Sequence, residues 1–214
     1  MKCNICRGVI QTKITDRHGS IFHVCDRCGF IQRERSQMLS SAAERERYLL
    51  HENSRENSGY VAYLMRFIEE IVITHVKRGG IILDFGSGPV PVLSELLHEA
   101  GFSVTSYDPY FEPDRGYRDA EYDAIILLEV IEHIADPLTV ICHLKKILSP
   151  QGCIIIQTQL VTPEIMEMFS TWWYKEDRTH ISFFSERSLQ ILAESAGLRA
   201  AVFNENVLLL SRKG

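Results

Sequence analysis

The sequence has no apolar run of the roughly 18 residues that a membrane-spanning helix needs, so it predicts no bilayer span. It has only 7 Pro and 13 Gly among 214 residues, too few for a collagen-like or low-complexity chain. It has no excess of basic residues, because 23 Lys and Arg face 28 Asp and Glu. The net charge of −5 argues against a basic nucleic-acid-binding protein. The first residues lack a charged segment followed by an apolar one, so we expect a cytoplasmic rather than an exported protein.

Four of the six cysteines form two pairs, Cys3-x2-Cys6 and Cys25-x2-Cys28, with eighteen residues between them. In a chain that is not exported, cysteines are thiols or metal ligands more often than disulfides. Each pair brings two sulfurs to one side of a tight turn, and two such turns complete a closed tetrahedron around Zn²⁺. The spacing therefore predicts a structural zinc site in a small ribbon-like module.

The charge is divided unevenly along the chain. Residues 1–47 carry a net charge of +4 and residues 48–214 a net charge of −9. We divide the chain into a zinc-ribbon module at 1–35, a helical connector at 36–59 and a larger domain at 60–214. In the connector, His51 and Asn53 are expected either to close over a ligand of the larger domain or to lie in a solvated loop.

In the larger domain, short and mainly apolar runs alternate with segments of helical period. Strands are predicted at 81–85, 103–107, 122–128 and 153–157. Such alternation is typical of a parallel sheet covered by helices on both faces. Two further runs, 199–203 and 207–211, flank a polar turn and predict an antiparallel hairpin at the edge of the sheet. The predicted fold class is a doubly wound α/β domain.

Three acids, Asp84, Asp108 and Glu129, close three of these strands, at the edge of a parallel sheet where ligands bind. The turn Gly86-Ser87-Gly88 lacks the third glycine of a dinucleotide fingerprint and follows an acid, and both features disfavour a pyrophosphate. An acid at this turn suits an ammonium group, and Asp108 suits the two hydroxyls of a ribose. A ligand with a ribose, an amine and no phosphate is S-adenosylmethionine. The predicted cofactor-binding residues are Asp84, Gly86, Ser87, Gly88, Asp108 and Glu129.

Several ordered motifs resemble those of class I S-adenosylmethionine-dependent methyltransferases. They are Leu-Asp-Phe-Gly-Ser-Gly at 83–88, Tyr-Asp at 107–108 and at 122–123, Glu-Val-Ile-Glu-His at 129–133 and Asp-Pro at 136–137. The resemblance covers residues 60–214 and implies a mainly parallel, seven-stranded, Rossmann-like sheet with an antiparallel last strand. It also implies that the glycine turn holds the methionine part of the cofactor and that Asp108 holds the ribose. The Pro-Val-Pro string at 89–91 departs from the family, which often has Gly there, and leaves the shape of this loop open.

The candidate catalytic residues are His133, His180 and Glu129. Methyl transfer requires alignment of the acceptor and, for some acceptors, removal of a proton. In one interpretation Glu129 bonds the cofactor and the histidines only pack. In the second, His133 or His180 is a general base. In the third, a divalent ion is held by Glu129, Glu132, His133 and His180, an arrangement similar to metal-dependent small-RNA 3′-end 2′-O-methyltransferases and to ubiquinone-pathway O-methyltransferases.

The favoured function is methyl transfer to an oxygen of a small-molecule acceptor. An RNA methyltransferase is the alternative, since zinc ribbons also precede such domains in large-subunit rRNA guanine methyltransferases and the first 47 residues are basic. A third interpretation is a non-catalytic zinc-ribbon interaction protein on a methyltransferase fold. An aromatic segment at 169–184 is expected to cover the site and to supply the acceptor pocket. The sequence does not indicate the oligomeric state.

Overall fold

A computed structural model of the chain describes residues 1–50 and 53–213. His51 lies outside the described residues. Within these ranges, no helix combines the length and the apolar character needed to cross a membrane.

The N-terminal part of the chain forms a small antiparallel sheet whose last strand comes from a segment much later in the sequence. Its strands are β1 (Thr12–Thr15), β2 (Ile21–Val24), β3 (Ile31–Arg33) and, far along the sequence, β8 (Ser182–Phe183). Ile31 pairs with Phe183 and Gln32 with Ser182. The N-terminal sheet is therefore shared between the cysteine-bearing segment and the larger domain.

The second sheet carries the order β5-β4-β6-β7-β10-β9. Its strands are β4 (Ile81–Phe85), β5 (Ser103–Tyr107), β6 (Tyr122–Leu128), β7 (Leu148–Gln157), β9 (Leu198–Asn204) and β10 (Val207–Arg212). The strands β4 to β7 pair in parallel, whereas the last strand, β10, pairs antiparallel with both β7 and β9. The predicted α/β fold, mainly parallel with an antiparallel last strand, is confirmed.

The described sheet has six strands, not the seven that the resemblance implied. Between β5 and β6 the chain forms only a 3₁₀ turn, Arg115–Asp119. A further strand at this edge would need its own crossover of about 10–12 residues, and the interval is too short for both. The edge beyond β5 is thus formed by a loop.

The helices of the chain are α1 (Ser41–Tyr48), α2 (Ser58–Phe67), α3 (Ile73–His75), α4 (Val92–Glu99), α5 (Pro137–Lys146), α6 (Pro163–Glu167) and α7 (Glu186–Ser195). Of these, α2, α4, α5 and α7 cover both faces of the six-stranded sheet. A π-helical segment, Ile68–Val72, joins α2 to α3, and its residues Ile68, Ile71 and Val72 are buried. The helical run from α2 to α3 packs with α4 on one face of the sheet, while α5 and α7 pack on the other. Since both faces are covered, the central strands β4 and β6 are buried on both sides, as their apolar sequences predict, while the edge strand β9 is largely exposed.

Candidate active site

The functional residues predicted from the sequence meet at one cavity of about 850 Å³ at the carboxyl ends of the parallel strands. The predicted residues that line it are Gly86, Ser87, Gly88, Asp108, Glu129, His133 and His180. Asn53 and Tyr60 line it as well. Asp84 does not, because it lies beneath the glycine turn.

In the glycine turn after β4, the backbone conformation and the close packing at the first position, Gly86, admit only glycine. Gly86 has a φ of +91°, and its N–H donates to the carbonyl of Tyr107 at 2.7 Å. A Cβ on Gly86 would lie 2.5 Å from Cγ2 of Val130. A Cβ on Gly88 would meet nothing within 4 Å, so only its φ of +71° favours glycine there. The turn therefore brings bare backbone to the cavity wall.

Asp108 closes β5 and is fixed by backbone donors. Its carboxylate accepts hydrogen bonds from the N–H groups of Gly88 (3.1 Å), Tyr110 (2.8 Å) and Phe111 (3.1 Å). A carboxylate offers roughly four acceptor positions, so this arrangement leaves capacity for a hydroxyl donor. Asp108 is thus held by the backbone at the cavity wall.

Asp84 supports the turn from below. It is only 3% exposed and accepts a hydrogen bond of 2.7 Å from Ser94 Oγ, which in turn lies 2.8 Å from Ser106 Oγ. Burial raises the pKa of Asp84 to about 6, against the opposing effect of the Ser94 hydrogen bond. The structure thus gives Asp84 a partner within the fold and no place on the cavity wall.

Glu129 and Glu132 share the hydroxyl of Tyr174. This hydroxyl lies 2.6 Å from Glu132 Oε1 and 3.0 Å from Glu129 Oε2, and it can donate its single proton to only one of them. Burial and then repulsion from Glu132 raise the pKa of Glu129 to about 8, and burial also raises the pKa of Glu132. Glu129 has a φ of +53°, a strained value for a residue with a side chain. The two carboxyls and the phenol therefore form one hydrogen-bonded group, in which Glu129 and Tyr174 line the cavity and Glu132 is buried behind them.

His133 and His180 lie side by side, with ring centroids 4.8 Å apart. Nδ1 of His133 is 3.0 Å from the carbonyl of Thr179, and Nδ1 of His180 is 2.7 Å from the carbonyl of Tyr174. Since each Nδ1–H donates to a carbonyl, the neutral rings carry their lone pairs on Nε2. Histidines that bind metals are oriented in this way.

One ligand atom from each of Glu132, His133 and His180 lies within 4.8 Å of the others. Glu132 is completely buried, and no donor among the described residues reaches its Oε2. A buried carboxylate oxygen without a donor costs free energy that a cation would recover. Carboxylate and imidazole ligands together suit a divalent transition metal. Three of the four residues predicted for a second metal thus fit such an ion, and Glu129 is linked to them through Tyr174.

The four cysteines of the N-terminal module also come together. Their sulfurs all lie within 4.8 Å of one another, with Cys3 Sγ 3.6 Å from Cys28 Sγ and Cys6 Sγ 3.4 Å from Cys25 Sγ. The hydrogen bond from Cys28 lowers the pKa of Cys3 to about 5. A closed set of four sulfurs, one of them readily ionised, fits a structural Zn²⁺.

Some of the residues on the cavity wall were not singled out from the sequence. From α1 and the loop after β5 they are Glu44, Arg47, Tyr48 and Tyr110. Tyr110 and Tyr48 both donate to the carboxylate of Glu44, at 2.9 and 2.6 Å. No residue of α1 is buried, so no apolar face marks this helix as part of a site. Tyr174 lies in the predicted aromatic segment, but nothing in the sequence shows that it joins two acids.

A glycine turn after the first parallel strand, a backbone-fixed acid after the second and an acid after the third define a class of protein. It is a Rossmann-like α/β domain that holds a nucleoside ligand at the carboxyl ends of its strands. A family model described as a methyltransferase domain matches residues 51–201. The chain therefore belongs to this family, with the fold of class I S-adenosylmethionine-dependent methyltransferases.

Among curated proteins, the chain is similar to two ubiquinone biosynthesis O-methyltransferases. It is 30% identical to that of Vibrio campbellii over 84 residues and 29% identical to that of Pasteurella multocida over 94 residues. Each match covers 38% of this chain, and they cover 36% and 38% of the two relatives, respectively. The chain thus spans little more than a third of the length of the curated relatives it matches.

Solved structures share the fold at low identity. The mitomycin 7-O-methyltransferase MmcR gives a TM-score of 0.55 at 13% identity, covering 79% of this chain and 60% of that one. The magnesium protoporphyrin IX methyltransferase of Synechocystis PCC 6803, with bound S-adenosylhomocysteine, gives 0.51 at 15% identity, covering 84% and 97%. At these identities the likeness establishes the fold.

Proposed function

We propose that the protein transfers a methyl group from S-adenosylmethionine to an oxygen of a small-molecule acceptor. The observation that carries this proposal is the shared cavity, which joins the glycine turn and Asp108 to Glu129, His133 and His180. The names of the curated relatives, all O-methyltransferases, support oxygen as the atom that is methylated. A cytoplasmic location stays a prediction from the sequence.

On the cofactor side, the backbone of Gly86 to Gly88 holds the methionine part and Asp108 accepts the ribose hydroxyls. Asp84 supports the turn through Ser94, and Glu129 adds a polar contact from β6. When bound, the cofactor supplies a sulfonium methyl that is already activated. The protein's own task is then to align the acceptor oxygen and to exclude water.

On the acceptor side, we propose that Glu132, His133 and His180 hold a divalent ion. The buried Glu132 favours this over a general base alone, because one of its oxygens has no donor among the described residues and its ligand atom lies within 4.8 Å of those of both histidines. Such an ion lowers the pKa of an acceptor hydroxyl.

Metal analysis of protein purified without chelator tests the second ion. The wild type should contain one ion more than His180→Ala, and the cysteine-bound ion should remain in that variant. His98→Ala, which removes an exposed histidine from α4, is the matched control and should keep the wild-type metal content. A metal content that changes only when the cysteines are replaced would exclude the second ion.

A small-molecule acceptor is favoured over RNA by the charge of the cavity. Among the described residues that line it, five are acidic and one, Arg47, is a permanently charged base. The acids are Glu44, Asp108, Glu129, Glu176 and Asp177. Arg47 is itself paired with Asp177 at 3.1 Å. Even with Glu129 neutral near pH 7, as its raised pKa implies, and Glu176 paired with Lys175, none of the described lining residues offers a polyanion a permanently charged base without an acidic partner.

The experiment that tests the function combines cofactor binding with methyl transfer. Calorimetry should detect S-adenosylhomocysteine binding, and a radiolabelled methyl should appear on members of a panel of hydroxylated aromatic compounds. Label on RNA, together with salt-sensitive RNA retention, would favour the RNA methyltransferase instead. Failure to bind S-adenosylhomocysteine would favour the non-catalytic interaction protein.

A further inference from the structure

The N-terminal module makes buried polar contacts with the segment that forms one side of the cavity. We define the acceptor wall as residues 172–180. The residues it contributes to the cavity are Trp173, Tyr174, Glu176, Asp177 and His180. An inference about this wall rests on the proposed function, because it concerns the side of the cavity assigned to the acceptor.

Arg33, at the end of β3, holds the backbone of the acceptor wall. Its Nε donates to the carbonyl of His180 at 3.1 Å, and its Nη2 donates to the carbonyls of Lys175 at 2.7 Å and Asp177 at 3.4 Å. Its own N–H donates to the carbonyl of Ile181 at 2.8 Å. Arg33 is only 4% exposed, so water does not compete for these bonds.

A buried ion pair adds a second connection. Asp16, in the loop between β1 and β2, accepts a 2.8 Å contact from Lys175 Nζ, and the two side chains are 2% and 1% exposed. Removing Lys175 would leave the buried Asp16 carboxylate without its cation, and removing Asp16 would leave Lys175 with the part-exposed Glu176, 2.7 Å away, as its acidic partner. The wall is therefore tied to the N-terminal module through a side chain as well as through its backbone.

The metal-binding turn itself contacts the other catalytic segment. Asn4 lies between Cys3 and Cys6, and its Nδ2 donates to the carbonyl of Ala135 at 2.7 Å. Gln32 of β3 donates to the same carbonyl at 2.8 Å. Ala135 follows His133 by two residues. The module therefore contacts the chain close to both histidines, at Ala135 through Asn4 and Gln32 and at the carbonyl of His180 through Arg33.

The cofactor side is held differently. Gly86 and Gly88 are bonded to Tyr107 and Asp108, and Asp108 is bonded to Tyr110 and Phe111. These bonds belong to the large sheet and its loops. The cofactor side meets the acceptor wall at Glu129, which accepts from the Tyr174 hydroxyl at 3.0 Å.

We propose that the four-cysteine module positions the acceptor wall, with Arg33 as the positioning residue. Loss of the metal from the cysteines then stops methyl transfer while cofactor binding continues. The rate of methyl transfer would thus depend on the zinc bound by the cysteines, although none of the described residues 1–35 lines the cavity.

Tryptophan emission reports this arrangement directly, because the chain's only two tryptophans are Trp172 and Trp173 of the acceptor wall. Trp172 is 6% exposed, so release of the wall should shift the emission to longer wavelength. We expect the shift in zinc-chelated wild type, in Cys28→Ser and in Arg33→Met. Since small misplacements cost about 100-fold in rate, kcat should fall by about that factor while the Kd of S-adenosylhomocysteine stays within about twofold.

Arg35→Met and Cys142→Ser are the matched controls, since Arg35 is exposed and Cys142 lies on α5 away from the sulfur cluster. Both should keep the wild-type emission and kcat. Arg33→Lys keeps the charge but lacks the planar fork that reaches three carbonyls, and it provides a milder variant that should show a smaller shift.

Unchanged emission in Arg33→Met and in chelated protein would overturn the proposal. Loss of S-adenosylhomocysteine binding together with kcat in those samples would also overturn it, because the module would then support the whole fold. If the wild type itself fails to bind S-adenosylhomocysteine, the proposed function fails. In that case the tryptophan emission of Arg33→Met, compared with that of its controls, still shows whether the module positions the acceptor wall.

Discussion

Gly86 is the residue whose identity is most tightly constrained by its surroundings. A Gly86→Ala change places a methyl group against Val130 and strains a backbone with φ of +91°. We expect the affinity for S-adenosylhomocysteine, measured by calorimetry, to fall by about tenfold or more, because the turn must move to relieve the clash.

Gly101→Ala is the control for that experiment. Gly101 has a φ of +92° but a Cβ there meets nothing within 4 Å, so it shares only the backbone strain of roughly 1–2 kcal/mol. Its affinity for the ligand should equal that of the wild type. Equal affinities in both variants would show that the turn does not contact the cofactor.

The ion pair between Asp16 and Lys175 predicts that the stability of the fold depends on pH. Burial alone would raise the pKa of Asp16, but the hydrogen bonds from Lys175, Ser20 and His18 outweigh it and the net shift is downward. An unfolded Asp has a pKa of about 3.9. The stabilisation is therefore fully present above that value and is lost as the pH falls through the lower pKa of the folded state.

We therefore expect Asp16→Asn to lower the free energy of unfolding at pH 7 by about 1–3 kcal/mol, the cost of a lost charged hydrogen bond, because Lys175 keeps its contact with Glu176. Urea unfolding at a series of pH values should show the difference from wild type shrinking as the solution becomes acidic. Asp119→Asn, an exposed position in the loop before β6, is the control. A difference that is constant from pH 7 to pH 3 would exclude titration of Asp16 as its cause.

At the scale of elements, strands were predictable where their sequences are apolar and short loops follow. The predicted runs at 81–85, 103–107 and 122–128 match β4, β5 and β6. The observed β7 begins at Leu148 rather than Cys153, because Leu148 pairs with Tyr122 of β6 before the register shifts to the pair of Ala124 and Cys153. The turn-like Ser-Pro-Gln-Gly sequence between Leu148 and Cys153 does not reveal that pairing. The expectation of a seventh strand rested on the family resemblance alone, and no segment of the sequence was assigned to that strand.

Two other features could not be read from the sequence. β8 has two residues, and its partner, β3, lies about 150 positions earlier, so neither periodicity nor local propensity identifies the pairing. The meeting of Glu132, His133 and His180 was an open alternative, because the sequence alone does not show how the chain near His180 returns to the strand ends. The cysteine cluster was predictable because its spacing specifies its geometry.

Helix α1 provides a prediction for a single element. It has no buried residue, and its polar contacts include Glu44, which accepts from Tyr110, and Arg47, which donates to Asp177. Tyr48 also packs against the rings of Tyr110 and His133, and Arg45 lies over the ring of Phe111. We expect Glu44→Ala to speed amide hydrogen exchange at 41–48, because the helix loses one of these contacts and is marginal alone. Glu46→Ala on the exposed side of the same helix should have no such effect. Equal exchange in both variants would mean that other contacts hold α1.

For the whole molecule, the hydrogen bonds described between the module and the larger domain go to the acceptor-wall side, while the cofactor side meets that wall through Glu129 and through α1. We therefore expect a nearly additive response to zinc and to S-adenosylhomocysteine. A ligand at 100 times its Kd stabilises the folded state by about 2.7 kcal/mol. S-adenosylhomocysteine should therefore raise Tm by a similar amount in zinc-loaded and zinc-chelated protein, although chelation itself lowers Tm. A ligand shift that disappears on chelation, measured by differential scanning calorimetry, would show that the two halves are energetically coupled.

The strand shared between distant parts of the chain also bears on how the protein tolerates truncation. A shortened chain that began at residue 51, where the family match begins, would leave β8 without β3 beside it. Phe22 would no longer cover Phe169 and Phe183, whose rings lie 5.1 and 5.8 Å from its own. An open strand edge next to uncovered aromatic rings favours pairing between copies. The catalytic domain trimmed to its family boundaries would thus tend to aggregate.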